Sequence, residues 1–227
     1  MIKFNSSYNT LLLGLITLLI IFPFPSYANS NDPIFQKLLE RIARQLETNT
    51  ETANRFITEI DGIAISIQDK FVKIASDKTD IGEKMRLKNI TVTQFFTGPN
   101  ATVQISSLHR KKITEKGIGT YLTHLAGLYK KFHTVEIKFD KNYFKLSKIN
   151  HFYDGRGERR KKYFEFTVDM WQQFIGCYDD AGKRCYKDWT KKGFHMIFKD
   201  ENPWVYRVKA ITVEDTISFE EYRNRNR

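Results

Sequence analysis

The chain has 227 residues, 14% of them aromatic, and a formal net charge of +11. The aromatic share excludes a disordered chain, because disordered segments lack the apolar groups needed to offset the loss of chain entropy. The length is enough for one good core, so we expect a single domain with an N-terminal helical extension. The positive charge favours contact with anionic partners.

Residues 1–28 have the pattern of a cleavable secretory signal peptide. A polar start carries Lys3, and an unbroken apolar run follows over residues 11–22. Ser26 and Ala28 then provide small residues at the two positions that a signal peptidase inspects. The apolar run is shorter than the roughly 20 residues with which a helix spans a bilayer. We therefore expect a mature, exported chain that begins near residue 29.

A retained N-terminal anchor is the alternative, because Phe24 and Tyr27 can extend the apolar span. In both cases the rest of the chain is expected outside the cytoplasm, either periplasmic or extracellular. Removal of the leader takes away one Lys and no acid, so the mature charge lies one unit below the +11 of the full chain.

The two cysteines, Cys177 and Cys185, lie symmetrically about Ala181 in a stretch with turn-forming residues. In a hairpin they would face each other on one side, where Cα atoms are about 4.5–5.5 Å apart, within disulfide range. An oxidising compartment favours the bond. The alternatives are two free buried thiols, or half of a metal site. Two Cys without a nearby His are a weak zinc signal, and we expect no metal.

The first half of the chain has helical periodicity. A helix is predicted to begin at Asp32-Pro33, and its apolar residues repeat at spacings of three and four through Leu46. The pattern continues to Ile60, and Gly62 is expected to break it. A second helix is predicted over 67–75. Residues 76–90 are polar and are expected to be irregular, with one short helix near 82–87.

From Ile90 the sequence is mostly typical of strands. Residues 101–106 alternate strictly, which indicates a half-buried strand, and residues 114–131 have the apolar spacing of an amphipathic helix. Further strands are predicted over 135–139, 143–149, 161–174, 186–198 and 204–213. This order predicts an α+β fold with helices packed on a strongly curved antiparallel sheet.

The order of elements resembles the nuclear-transport-factor-2-like superfamily, the cone-shaped fold of ketosteroid isomerase and scytalone dehydratase. The chain looks most like the exported members of bacterial envelopes. Three segments carry the resemblance. They are Phe95-Phe96-Thr-Gly-Pro-Asn-Ala101, the helix containing Tyr121-Leu122-Thr-His-Leu125, and the strand pair Trp171-Gln-Gln-Phe174 with Cys185-Tyr186-Lys-Asp188-Trp-Thr190. The resemblance implies a fold and leaves the reaction open.

The resemblance divides the chain into four parts. Residues 1–28 are the leader, 29–64 a helical extension, 65–215 the nuclear-transport-factor-2-like domain and 216–227 a basic C-terminal tail.

Enzymes of this fold class use a carboxylate or His inside the cone as a base, opposite a Tyr or an acidic donor. On strand 161–174 the apolar phase contains Phe164, Phe166 and Val168, whereas Glu165 and Asp169 occupy the other phase. Strands 135–139 and 204–213 also lack an acid on the apolar side. We therefore expect an interior filled with aromatic side chains and no acid–base pocket.

Five residues are candidates for a ligand pocket: Tyr121, His124, Trp171, Asp188 and His195. Each also has a purely structural interpretation. His124 is expected on the boundary or solvent side of its helix, and His195 is expected to face away from the core because it alternates with Phe194 and Met196. Asp188 is expected to bond to the Thr190 hydroxyl or to turn amides.

Basic clusters are candidates for contact with an anionic surface, such as phospholipid, lipopolysaccharide or cell-wall polymer. The alternative is that these cations are simply solvated at the ends of strands and helices. The clusters that we single out are Arg110, Lys111, Lys112, Arg159, Arg160, Lys161 and Lys162.

Three functions are compatible with these patterns. The sequence favours an exported, non-catalytic cell-envelope protein that binds a partner or ligand through a nuclear-transport-factor-2-like domain. An isomerase- or dehydratase-like enzyme is the second, and an envelope assembly component with a retained anchor, as in type IV secretion, is the third. No cofactor and no nucleic-acid partner are expected, and the oligomeric state stays open.

Overall fold

A computed structural model describes residues 33–109, 112–155, 161–179, 181–199 and 204–225. The elements in chain order are α1 (Pro33–Leu46), α2 (Thr50–Ala75), α3 (Ile81–Phe95), β1 (Thr102–Ile105), β2 (Thr114–Gly117), α4 (Ile118–Ala126), a 3-10 turn (Leu128–Lys130), β3 (Thr134–Leu146), β4 (Asn150–Asp154), β5 (Lys161–Cys177), β6 (Cys185–Lys199), β7 (Val205–Ile217) and α5 (Phe219–Arg225).

Helix α2 is a single helix of 26 residues and does not break at Gly62. The Asn49 side chain caps its start by accepting a hydrogen bond from the Thr52 amide at 2.8 Å. Gly62 lies on the exposed side, where glycine costs only its propensity. Ile60 and Ile67, on either side of Gly62, are both fully buried, and this packing outweighs that cost.

Helix α3 replaces the predicted irregular segment. Its N-cap is Asp80, whose carboxylate accepts from the Glu83 amide at 3.0 Å. The β-branched residues near its end, which favour a strand by propensity, remain helical. Among them, Thr91 is completely buried and donates its hydroxyl to the Leu87 carbonyl at 2.7 Å.

The sheet has the strand order β2-β1-β7-β6-β5-β3, and β4 also pairs with β5. All pairs are antiparallel except β1 with β7, which is parallel, so the predicted antiparallel sheet is in fact mixed. Residues 114–117, predicted as the start of a helix, form β2 instead and pair with β1. The α+β class with helices on a curved sheet is confirmed.

The strands are long, and register shifts interrupt their pairing. Strand β3 runs through the predicted strand 135–139 and into the predicted strand 143–149, where it ends at Leu146. Its pairing has an irregularity between Phe139 and Phe144. Two further shifts lie between β6 and β7. Because bulges bend a strand and increase its twist, these shifts help to curve the sheet around the helices.

The concave face of the sheet carries the main core. Even-numbered residues of β5 and β6 point inward, and Phe56 of α2 packs against Phe166 with ring centroids 5.1 Å apart. Gly176 lies on this face under Phe132, whose ring would approach an added Cβ to 2.8 Å. A side chain at position 176 would therefore displace the ring.

The convex face carries a second apolar cluster of Trp171, Trp189 and Ile217, packed against Tyr222 of α5. The Ser218 hydroxyl caps α5 by accepting from the Glu221 amide at 3.1 Å. Most of the predicted basic C-terminal tail, residues 216–227, thus forms α5 and packs on the sheet.

The predicted leader lies outside the described residues. The proposed division between residues 64 and 65 falls within α2, and the division into parts stays a prediction. In the described ranges we find no helix with the length and apolar character that a membrane crossing requires.

Candidate functional site

The hairpin of β5 and β6 is closed by the predicted disulfide between Cys177 and Cys185. The two cysteines are register partners, and the next pair outward joins the Tyr178 amide to the Arg184 carbonyl at 2.8 Å. The cysteines therefore occupy a non-hydrogen-bonded position, where side chains are closest. Within the described part of the chain no cysteine is free.

A buried polar cluster lies on the concave face between this hairpin and the aromatic core. Asp188, Thr190 and Lys192 of β6 are 4%, 5% and 7% exposed, and they share the inward phase of Phe194 and Met196. Across the sheet they pair with Phe174, Gln172 and Met170 of β5. We call Tyr121, Gln172, Tyr186, Asp188 and Lys192 the inner polar cluster.

Asp188 is held by a tyrosine. The Tyr186 hydroxyl donates to Asp188 Oδ2 in a short hydrogen bond, and the Leu108 amide donates to the same hydroxyl at 2.9 Å. Burial raises the pKa of the Asp188 carboxyl, while the bond from Tyr186 and the charge of Lys192 partly oppose the rise. Burial and the bond to Asp188 also raise the pKa of Tyr186.

Lys192 and Tyr121 face each other across the cluster. The Lys192 ammonium lies 5.9 Å from the centre of the Tyr121 ring. Burial lowers the pKa of Lys192 to about 8, although Asp188 pulls it upward. Burial, with a smaller effect of the Asp188 charge, raises the pKa of Tyr121 to about 12. Both side chains are therefore largely shielded from water.

The polar groups of the cluster are only partly satisfied by one another. Gln172 Oε1 is buried with no hydrogen-bond partner. Among the residues that the structure describes, Lys192 and Asp188 form no ion pair with each other, although both are buried on one face. Buried charges that form no ion pair are energetically costly. These side chains therefore lower the stability of the fold at this end of the concave face.

Hydroxyl groups surround the remaining side of the cluster. Thr190 Oγ1 lies 3.4 Å from Thr216 Oγ1, and the Ser106 hydroxyl is hydrogen-bonded to the same threonine. The Asp188–Thr190 hydrogen bond expected from the sequence is not formed, because Asp188 accepts from Tyr186 instead.

The five pocket candidates occupy three separate places. Tyr121 and Asp188 belong to the inner polar cluster. Trp171 lies on the convex face beneath α5. His195 also lies on the convex face, as expected, between the hydroxyls of Thr167 and Thr212 at 3.1 and 3.0 Å. His124 lies on the exposed side of α4, 2.8 Å from the Lys116 ammonium.

The basic candidates are only partly described. Arg110, Lys111, Arg159 and Arg160 lie outside the described residues. Lys112 and Lys161 are exposed. Lys162 pairs with Glu47 at 2.5 Å and lies 4.8 Å from the ring centre of Phe164.

The larger surface depressions lie elsewhere. A groove of about 470 Å³ separates α2 from β3 and is lined by Gln68, Val72, Val135 and Ile137 among others. In the described ranges no three His, Cys, Asp or Glu side chains come close enough to hold a metal ion.

Lys192 and Gln172 were missed as candidates, and the signal was present in the sequence. The alternation Phe194, Met196, Phe198 fixes the inward phase of β6, and counting back by two places Lys192 and Asp188 on the same face. The inward phases of β3, β5 and β7 carry few charges, whereas the first half of β6 places Asp188 and Lys192 on its inward face.

Known proteins give little further information. No protein-family profile matches the chain, and no curated protein matches it in sequence. Two solved structures are similar in backbone. The Kfla4162 protein from Kribbella flavida has 10% identity and a TM-score of 0.36, covering 70% of this chain and 93% of its own. A designed nuclear-transport-factor-2-like protein has 10% identity and a TM-score of 0.32, covering 66% and 96%. At these scores the fold assignment depends on the topology of this chain itself.

Proposed function

We propose that the protein is an exported cell-envelope domain of the nuclear-transport-factor-2-like type, and that it binds a small polar ligand without transforming it. The order of helices and strands and the pattern of residues 1–28 support the fold type and the export. The observation that carries ligand binding is the inner polar cluster, in which Asp188 and Lys192 are buried on one face without a direct ion pair.

The charges of the cluster narrow the class of ligand. An anion would be attracted by Lys192 and repelled by Asp188. A cation would be attracted by Asp188 and repelled by Lys192. A ligand with an acceptor or anionic group at one end and a donor or cationic group at the other compensates both. Gln172 Oε1 is a further acceptor for the donor end, and the Tyr121 hydroxyl a further donor for the acceptor end. We therefore expect a small zwitterionic or similarly bifunctional molecule.

The test is recovery of the ligand from natively purified protein. The full chain is expressed for export, purified without denaturant, and extracted, and the released small molecules are identified by mass spectrometry. We expect a bifunctional polar molecule at close to one per chain in the wild type. It should be lost in Lys192→Met and Asp188→Asn and retained in Lys130→Met, which removes an exposed lysine of the 3-10 turn. Equal recovery from all four proteins, or none from folded wild type, would overturn the proposal.

An acid–base enzyme is the second candidate, and one specific observation favours it. Burial raises the pKa of Asp188, and the carboxylate accepts a hydrogen bond from Tyr186, so a carboxyl group and a phenol lie together as general acid–base catalysis requires. Incubation of the recovered molecule with fresh protein distinguishes an enzyme from a protein that only binds its ligand. An isomer or dehydrated product that forms with wild type and not with Asp188→Asn identifies an enzyme, whereas an unchanged ligand supports binding.

A further inference from the structure

In the part of the chain that the structure describes, the convex face of the sheet is covered at one end. Helix α5 packs over Trp171 and Trp189, near the disulfide end of β5 and β6. At the opposite end, where β4 joins the sheet and β7 begins, no described element packs over the convex face. Odd-numbered residues of β5 and β6 and their register partners point outward here.

This uncovered end combines aromatic, aliphatic and basic side chains on four adjacent strands. We call it the outer aromatic–basic face and define it by six residues: Phe152, Tyr163, Ile197, Lys199, Val205 and Arg207. Phe152 stacks on Tyr163 with ring centroids 5.3 Å apart and planes 11° apart. Phe152 and Val205 lie at the two ends of one row across the four strands and are 40% and 38% exposed.

The charge of this face is positive. Lys199 and Arg207 lie within it, and Lys161 and Lys209 lie beside it on the same side of the sheet. Near the exposed rings the described carboxylates are Asp154 and Glu165, and Glu165 is already paired with Lys209 at 2.6 Å. Asp169 lies on the same face farther along β5. Among the described residues, cations therefore exceed acids around the exposed rings.

We propose that the outer aromatic–basic face docks on an anionic phospholipid surface. Aromatic rings favour the headgroup level of a bilayer, and each Lys or Arg close to an anionic surface strengthens binding about fivefold. Four strands about 4.8 Å apart form a platform roughly 14 Å wide, which lets the rings and the cations reach one plane together. This proposal is independent of the ligand in the inner polar cluster.

The test measures binding of the full chain to vesicles of phosphatidylcholine with 30% phosphatidylglycerol, and to vesicles of phosphatidylcholine alone, by co-sedimentation. We expect binding to the anionic vesicles only. Lys199→Glu with Arg207→Glu should weaken it at least about 25-fold, and Phe152→Ser with Val205→Ser at least about fivefold.

Two control pairs keep the comparison fair. Lys112→Glu with Lys130→Glu changes the net charge equally at exposed lysines outside this face, and Ile81→Ser with Met85→Ser removes exposed apolar groups from α3. Both should bind within about twofold of wild type, because neither pair changes a side chain of the outer aromatic–basic face. Losses in the controls equal to those in the face variants would overturn the proposal, as would the absence of binding by folded wild type. Equally tight binding of a soluble polyanion such as polyphosphate, lost in the same face variants, would overturn the lipid as occupant.

Discussion

Lys192 is a lysine that the fold largely removes from water. It lies on β6 between Thr190 and Phe194, is 7% exposed, and has a pKa lowered to about 8 by burial. A lysine with an ordinary pKa of 10.5 binds its proton more tightly in the unfolded chain than in this fold. Protonation therefore favours unfolding, and Lys192 destabilises the protein at neutral pH.

We predict that the contribution of Lys192 to the free energy of unfolding rises by about 1–2 kcal/mol between pH 8 and pH 9.5. The rise occurs because the unfolded chain releases its extra proton only as the pH approaches 10.5. Lys192→Met should be more stable than wild type at pH 8, and the difference should shrink toward pH 9.5. Urea titrations at both pH values measure it.

Two details make this measurement specific. Tyr121 keeps its proton up to about pH 12 in the fold, so its own effect begins only above about pH 10. Lys130→Met, at an exposed position, should follow the wild-type pH dependence. Parallel pH curves for wild type and Lys192→Met would contradict a lowered lysine pKa.

The sequence could predict the location of this cluster only in part. The alternation of side chains along β6 places Lys192 on the inward face. A lysine in that position does not by itself predict a buried site, because the sequence does not show that this end of the strand is covered. That burial comes from α4 and the segment near Leu108, which are distant in sequence. Tertiary packing decided the outcome here.

At the scale of elements, the least expected feature is the docking of α5. Its Tyr222 stacks on Trp189 with ring centroids 3.9 Å apart, meets Trp171 edge-on at 5.3 Å, and donates its hydroxyl to Asp140. Arg225 pairs with Asp215 at 2.9 Å. A helix of seven residues is too short to be stable alone, so these contacts hold it.

We predict that Tyr222→Ala lowers the free energy of unfolding by about 2–3 kcal/mol, because it removes a partly buried ring from an aromatic cluster. It should also shift the emission of Trp171 and Trp189 to longer wavelength as water reaches them. Tyr222→Phe keeps the stack, loses only the bond to Asp140, and should cost about 1 kcal/mol. An unchanged emission spectrum in Tyr222→Ala would contradict the docking of α5.

Helix α3 shows why propensity failed for another element. Thr91, Val92 and Thr93 favour strands because their side chains branch at Cβ. In the fold Thr91 and Val92 are buried, and the threonine hydroxyls bond to carbonyls one turn earlier. Burial of this face and the Asp80 cap together outweigh a propensity difference of a few tenths of a kcal/mol per residue.

Local sequence patterns also could not predict the strand order or the parallel pairing of β1 with β7.

At the scale of the whole molecule, the predicted N-terminal leader determines the compartment in which we expect the domain to work. We predict that expression in a bacterial host with an export pathway yields a mature chain beginning near Asn29. Ala28→Asp should block processing, because a charged residue replaces the small one before the cleavage site. Intact mass and N-terminal sequencing of both proteins measure the result, with Asn49→Gln as a processed control.

The alternative of a retained anchor gives a different result in the same experiment. Wild type would then keep residues 1–28 and fractionate with membranes. The thiols of Cys177 and Cys185 report on the compartment independently, because a chain expressed without its leader in a reducing cytoplasm should carry both as free thiols. The export prediction fails if wild type is unprocessed and its thiols alkylate without reduction.

The disulfide also bears on how the protein withstands proteases. Cys177 and Cys185 enclose the exposed tip between β5 and β6, and exposed loop tips are preferred sites of proteolytic cleavage. A single cut between Tyr178 and Arg184 would leave the two long strands covalently joined as well as hydrogen-bonded along their length. The nicked molecule would migrate as one species until a reductant separated its halves.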